Sequence, residues 1–209
     1  MNTATLTRLH VIVLAAGFSS RLGHPKALAR VRNSTLLRRT LLLAGRISPA
    51  EIIVVLPPRA TRHRIEARGL KVTFSANLQR AAGLSSSVHR GIRRARYSTA
   101  LLLLPVDLVD LQHRELERLV SRWRSKRRSV IARCIGPQGG AWRAGIPLIL
   151  PRWLYARARA VAGDIGLREL VNGLPASQRV LVELPSAEMD VDNSEDLRAA
   201  RVRFRRSGR

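Results

Sequence analysis

A short apolar run, His10-Val-Ile-Val-Leu14, opens directly onto Ala15-Ala-Gly-Phe-Ser-Ser-Arg-Leu-Gly-His-Pro-Lys26, and no other junction constrains the fold as much. The run is β-branched and almost uncharged, so it reads as a strand buried on both faces of a parallel sheet. Gly17, Ser19, Ser20 and Gly23 then end any regular structure. A loop at the carboxyl end of a buried strand is where open α/β sheets hold their ligands. Small residues let backbone N–H groups approach an anion, and Arg21 and Lys26 can hold what the backbone cradles. A polyphosphate suits that chemistry. The spacing is neither G-x-x-x-x-G-K-[ST] nor G-x-G-x-x-G, so the loop is neither a P-loop nor the dinucleotide fingerprint.

The remaining chain alternates strands with helices. Ser34 is placed to cap a helix from Thr35 to Ala44 that stops at Gly45. Strands are predicted at Glu51 to Leu56, Lys71 to Ser75, Ala100 to Leu104, Val130 to Ile135 and Arg179 to Leu184, with Gly145 to Leu150 pairing back on Val130 to Ile135 across a turn at 136–140. Helices are predicted at 60–68, from about Ser86 to Arg96, at 112–125, 151–161 and 165–172, and after a Ser194 cap. Leu116, Leu119, Val120 and Trp123 recur at helical spacing. The expected fold class is therefore α/β, a doubly wound and mostly parallel sheet. One domain over 1–200 is followed by a basic tail, 201–209.

Composition narrows the function classes. A hydrophobic content of 45% over 209 residues supports a globular domain, and no apolar run approaches the eighteen or so residues of a membrane helix. A cytoplasmic protein with no membrane partner is expected. The single cysteine, Cys134, rules out an internal disulfide and any multi-cysteine metal site; its apolar setting points to an inert thiol. The net charge is +24, and only three of the 38 basic residues are lysines, Lys26, Lys71 and Lys126. Nonspecific binding of polyanions at low salt is expected from that excess. Aromatic residues are only 4%, too few to build a stacking platform for nucleic acid.

Four groups of residues can carry chemistry. Asp107 comes after the strand Ala100 to Leu104 and emerges at the same sheet edge as the Gly17 loop; it is placed to hold a Mg²⁺ that bridges nucleotide phosphates, or to cap a turn or helix from Leu108 onwards. In Met189-Asp-Val-Asp-Asn-Ser-Glu-Asp196, alternation sets Asp190 and Asp192 on one face, either completing a metal site with Asp107 or serving the next helix. Gly83-Leu-Ser-Ser-Ser-Val88 offers helix-start N–H groups and hydroxyls to a nucleotide, and serine capping accounts for the same residues. Gly163-Asp-Ile-Gly-Leu-Arg168 offers Arg168 as a grip for a phosphate, and an Asp164-capped helix with a solvated arginine accounts for the same residues. His24, His89 and His113 have no spacing that suggests metal ligation or a proton relay.

The first loop matches, at eight positions, the L-A-A-G-x-S-x-R-x-G-x-x-K signature of MobA-like nucleotidyltransferases, and it most resembles the molybdenum-cofactor cytidylyltransferases (MocA-like). Leu104-Pro-Val-Asp107, Gly83 to Val88, Gly163 to Arg168 and Met189 to Asp196 resemble further segments of that group. The resemblance implies a Rossmann-like fold of the nucleotide-diphospho-sugar transferase type. It implies Arg21, Lys26 and Asp107 as catalytic residues. Leu14, Ala15, Ala16, Gly17, Arg21, Lys26, Gly83, Ser85 and Ser86 would bind the nucleotide. Gly163, Asp164 and Arg168 would bind the acceptor, and Asp107 and Asp192 would hold Mg²⁺. Ala15-Ala16-Gly17, in place of A-G-G, favours CTP. The implied acceptor is the phosphate of molybdopterin, and the implied partners are molybdenum hydroxylases such as xanthine dehydrogenase. Two departures stand out: Asn193-Ser194 replaces the usual Thr-Pro, and Gly145-Ile-Pro147 replaces G-H-P beside the acceptor. A related transferase for a sugar, polyol or lipid-precursor phosphate, and a non-catalytic nucleotide carrier, remain as alternatives.

Overall fold

The computed structural model describes residues 8–136, 142–163 and 166–206. In chain order the elements are β1 (Leu9–Leu14), β2 (Arg30–Val31), β3 (Ser34–Thr35), α1 (Leu36–Arg46), β4 (Glu51–Leu56), α2 (Thr61–Glu66), β5 (Thr73–Ala76) and α3 (Leu84–Arg94). They continue with β6 (Ala100–Pro105), α4 (His113–Ser125), β7 (Val130–Ile135), β8 (Arg143–Pro151), α5 (Tyr155–Ala160), α6 (Gly166–Asn172), β9 (Arg179–Val182) and α7 (Ser194–Arg206). The predicted turn at 136–140 lies, beyond Gly136, outside the described residues.

Seven strands form one sheet in the order β5-β4-β1-β6-β8-β7-β9. Only β8 runs against the others, pairing antiparallel with both β6 and β7. The sheet is thus mostly parallel and doubly wound, as the alternation predicts. From β1 the chain moves outward to β4 and β5 on one side, then returns to β6 on the other. That reversal leaves a crevice at the carboxyl ends of β1 and β6.

β1 is buried along its whole length because both of its faces are covered. Val11 and Val13 pack with Leu37 and Leu41 of α1 and with Leu116, Leu119 and Trp123 of α4. Ile12 and Leu14 pack with Val88 and Ile92 of α3 and Ala158 of α5. α3 lies so close to β1 that a Cβ on Gly91 would stand 2.8 Å from Ile12 Cγ2. A third cluster docks Leu197 and Ala200 of α7 against Leu22, Val31 and Leu36.

Several boundaries differ from expectation. Thr35, not Ser34, caps α1, its hydroxyl accepting the Arg38 N–H at 3.2 Å. Gly45 lies inside that helix, which ends at Arg46. α3 begins at Leu84 rather than Ser86 because Gly83, at φ 80°, makes the turn that starts it. Asn193, not Ser194, caps α7: its Oδ1 accepts the Glu195 and Asp196 N–H groups, while the Asp196 carboxylate accepts those of Asp192 and Asn193. The basic tail is largely helix. α7 runs on through Arg206 because Phe204 packs on the third cluster under the Arg39 guanidinium, 4.4 Å from the ring centre, and Arg203 pairs with Asp110 at 2.8 Å.

Candidate active site

The loop after β1 is built by two left-handed residues, Ser19 at φ 55° and Gly23 at φ 73°. The Ser19 hydroxyl accepts the Lys26 N–H at 2.8 Å, and Leu22 anchors the turn in the third cluster. Gly17 is different. Its φ is not positive, and a Cβ there would meet no atom within 4 Å. Nothing in the protein's own packing asks for glycine at 17; the space it leaves belongs to the crevice.

Register brings the rest of the site together. Leu14 lies beside Pro105 at the end of β6, so Asp107 emerges next to the loop. The Asp107 carbonyl accepts the Val191 N–H at 3.2 Å, and Leu108 forms a β-bridge with Asp190. These backbone contacts pin the segment before α7 across the end of β6. Asp192 reaches the site that way, from 85 residues downstream of Asp107.

The crevice has a volume of about 490 Å³, in the range of nucleotide-sized pockets. Leu14, Ala15, Ala16, Gly17, Arg21, Lys26, Gly83, Asp107 and Asp192 all line it, as the sequence motifs imply. Ser85 and Ser86 do not. Starting α3 at Leu84 puts Leu84 and Ser87 on the crevice face, three residues apart, and turns Ser85 and Ser86 away. The Ser86 hydroxyl donates to the Gly83 carbonyl at 2.7 Å and accepts from buried Asn77 at 2.8 Å; it serves the helix start. Ser87 also accepts from Asn77, at 3.0 Å, which leaves its own proton for a ligand.

Arg80 is a crevice residue that the sequence motifs do not reveal. Its guanidinium donates to the Gly17 carbonyl at 2.9 Å and lies 4.0 Å from the Phe18 ring centre. The only signal is a basic residue in the loop Asn77-Leu-Gln-Arg80 ahead of Gly83.

Lys26 is the centre of the electrostatics. Its Nζ donates to Asp192 Oδ1 at 2.7 Å and to Asp107 Oδ2 at 3.1 Å. Burial alone would lower its pKa, but the two carboxylates outweigh that and raise it, so Lys26 is fully charged. Among the described residues no cluster of three or more His, Cys, Asp or Glu side chains is arranged to hold a metal. Two carboxylate oxygens nevertheless converge on the one point that Nζ fills. A hard divalent cation held by two carboxylates, with phosphate oxygens and water completing its shell, fits that donor set.

A second pocket, of about 230 Å³, adjoins the crevice and shares Leu84, Pro105 and Asp107 with it. Its walls are mainly aliphatic, and its polar side chains are Asp107, Arg133, Arg168 and Asp190. Arg168, expected from the sequence to grip an acceptor phosphate, lines this pocket. Gly163, also expected beside the acceptor, does not line this pocket; its carbonyl accepts the Ser85 N–H at 3.2 Å and so ties that segment to the start of α3, and Asp164 lies outside the described residues. Asp190 faces this pocket and Arg133, at 3.9 Å, rather than Lys26. Its carboxyl is pushed up to about 6, first by loss of solvent on its inner side and then by the Asp107 charge, with Arg133 opposing. Cys134 is half-buried rather than fully buried as expected, because it lies near the end of β7, and desolvation together with Glu183 raises its pKa.

Comparison with known proteins adds three results. The MobA-like NTP transferase domain matches residues 11–180. No curated protein matches the chain at a significant level. Solved structures align over nearly the whole chain. A nucleotidyl transferase from Methanothermobacter thermautotrophicus gives a TM-score of 0.78 at 21% identity, covering 96% of this chain and 99% of that one. Rv0371c from Mycobacterium tuberculosis H37Rv gives 0.74 at 24%, covering 93% and 97%; it has also been solved in complex with manganese. The 2-C-methyl-D-erythritol 4-phosphate cytidylyltransferase from Thermus thermophilus gives 0.67 at 24%, covering 93% and 98%. At these identities the likeness is one of fold.

Proposed function

The chain belongs to the MobA-like NTP transferase domain family, and from that premise we propose that it joins CTP to a phosphomonoester acceptor, the phosphate of molybdopterin, and releases pyrophosphate. One observation carries this reading. Asp107, which accepts from Lys26, lines both the glycine-rich crevice and the second pocket, so the Lys26 cation is held beside the place where a nucleotide in one and an acceptor in the other would meet.

In the reaction an acceptor phosphate oxygen forms a bond to the α-phosphorus of the nucleotide. The bond from that phosphorus to the bridging oxygen breaks, and the electron pair leaves with pyrophosphate. A phosphomonoester is largely ionised near neutral pH, its second pKa being about 6, so no general base is needed. The chain then has two tasks, alignment and charge stabilisation. The Gly17 loop and the start of α3 seat the triphosphate. Arg21, exposed on the crevice rim, balances charge on the departing pyrophosphate. Lys26 neutralises charge at the α-phosphate and the attacking oxygen. Asp107 and Asp192 would hold a divalent cation, Mg²⁺ or the manganese seen with Rv0371c, once the Lys26 Nζ turns from them to the phosphate, and that cation would supply neutralisation of triphosphate charge.

The base and the acceptor rest on narrower support. CTP is favoured by Ala15-Ala16-Gly17 and by the fold shared with a cytidylyltransferase. The mainly aliphatic lining of the second pocket suits a ring system better than a polyol, whose hydroxyls would find partners only at its four charged side chains. The product would then serve molybdenum hydroxylases.

Pyrophosphate release, measured with each of the four NTPs and with molybdopterin or a panel of sugar and polyol phosphates, tests the reading. Release with CTP and molybdopterin is expected. Lys26→Ala and Asp107→Ala should each lower it by on the order of a hundredfold. Release with a polyol phosphate alone would move the acceptor and keep the mechanism. Tight CTP binding without release from any pair would refute the enzyme reading.

A further inference from the structure

Arg133 sits where a strand interior would ordinarily be apolar. It lies in β7, between Ala132 and Cys134, and its side chain is only 12% exposed. A guanidinium carries five N–H donors and cannot shed its charge, so taking it out of water is costly unless those donors find acceptors. Here the protein supplies almost none, and the guanidinium nitrogens stay open to the pocket instead of being sealed in the interior. The nearest charge, Asp190 Oδ1, is 3.9 Å away, beyond hydrogen-bond range, and the side chain makes no hydrogen bond among the described residues. Its polar end lines the second pocket.

Two features of the backbone put it there. The β7–β8 ladder shifts register between Ala132 and Arg133, and such irregularities re-aim the side chains beside them. Opposite Arg133 stands Gly145, where a Cβ would collide with Ile135. The apolar side chain of Ile135 therefore fills the space over the glycine.

Position separates Arg133 from the reacting end of the pocket. Asp107 marks that end, at the carboxyl end of β6. β8 lies between β6 and β7, so the two strands are about 10 Å apart. Most of the wall between these ends is aliphatic, including Ile146, Leu148 and Val171. Arg168 of α6 is at the rim.

We propose that Arg133 is an acceptor-specificity residue that binds an anionic or carbonyl group at the end of the acceptor remote from its reacting phosphate. The acceptor class is then a compact phosphomonoester with an apolar or planar body and a second hydrogen-bond-accepting group. A polyol phosphate is disfavoured, since many of its hydroxyls would face the aliphatic part of the wall. This inference rests on the nucleotidyltransferase reading for the identity of the pocket.

Three phosphomonoesters of matched length test it: 4-(phosphonooxy)butanoate, butyl phosphate and erythritol phosphate. Pyrophosphate release with CTP and Mn²⁺ gives kcat and KM, and calorimetric binding to the CTP-loaded protein in Ca²⁺ gives affinity without turnover. The carboxylate-ended ester should be preferred by at least about tenfold, through KM or Kd, with erythritol phosphate poorest. Arg133→Gln should erase the preference by weakening only the carboxylate-ended ester, and Arg133→Lys should restore part of it. A merely structural role would instead lower the melting temperature and weaken all three alike. Discrimination in binding that depends on Arg133, without turnover, would uphold this inference and refute the enzyme reading. Turnover whose acceptor preference is unchanged in Arg133→Gln would do the reverse. Equal binding of the three esters, or binding of none, overturns the proposal.

Discussion

Replacing Gly17 with alanine separates a glycine kept for the fold from one kept for a ligand. On the folded side the structure gives a magnitude near zero: a Cβ at 17 meets nothing within 4 Å, and its φ is outside the positive range that penalises side chains. On the unfolded side the substitution removes backbone freedom, which stabilises by about 0.4–1 kcal/mol where the native conformation is compatible. For a chain of this size each kcal/mol moves the melting temperature by about 2–4 °C. Gly17→Ala should therefore melt about 1–4 °C higher than the parent. The same methyl group projects into the crevice and must crowd a seated triphosphate. Overpacking of that kind costs about 1–3 kcal/mol, or roughly 5- to 150-fold in affinity. Thermal unfolding and CTP titration on the same sample decide the matter. A lower melting temperature would show that the loop needs glycine for its own conformation. Unchanged CTP affinity would show that the nucleotide does not lie against Gly17. Either result refutes the reasoning.

Gly91→Ala should act in the opposite sense, destabilising by about 1–3 kcal/mol in urea unfolding despite better helix propensity, because its Cβ would press on Ile12. Asn77→Ala should cost about 1–3 kcal/mol, seen in the same assay, since buried Asn77 bonds Ser86, Ser87 and the Gln79 N–H. Stability should also fall as the solution is acidified. Burial holds His10 below the usual histidine range, with Glu51 opposing and Arg8 assisting, and burial with Arg80 and Arg62 does the same for His63. Below about pH 6.5 the unfolded chain then binds more protons than the folded one, so each histidine lowers stability by up to about 1.4 kcal/mol per pH unit as pH drops. Urea midpoints at about pH 7.5 and 5.5, either side of that value, should differ accordingly, and His63→Gln should reduce the difference.

Local chemistry was legible wherever neighbouring residues determine it. The β-branched run His10 to Leu14, the helical recurrence of Leu116, Leu119, Val120 and Trp123, and the uncharged strand before Asp107 each carry their own periodicity, and all three form as predicted. Cap positions slipped by a residue or two, because Ser34 and Thr35, or Asn193 and Ser194, offer nearly equal oxygen acceptors. Which one is used depends on where packing begins the helix. The choice at α3 also decides which serine lines the crevice, since starting at Leu84 places Ser87 there instead of Ser85 and Ser86.

By itself the sequence determined a doubly wound sheet, an irregular glycine- and serine-rich loop after its first strand, and an acid at the end of β6. Only the tertiary structure decided which distant groups meet. Asp192 reaches Lys26 through backbone bonds to residues 107 and 108, Arg80 reaches Gly17 across the crevice, and Arg133 faces the second pocket through a register shift in β7–β8. None of these pairings leaves a periodic trace along the chain. Sequence patterns record which face of an element is buried, whereas the partner across a cleft is set by strand order and register, which emerge only when the whole sheet is assembled.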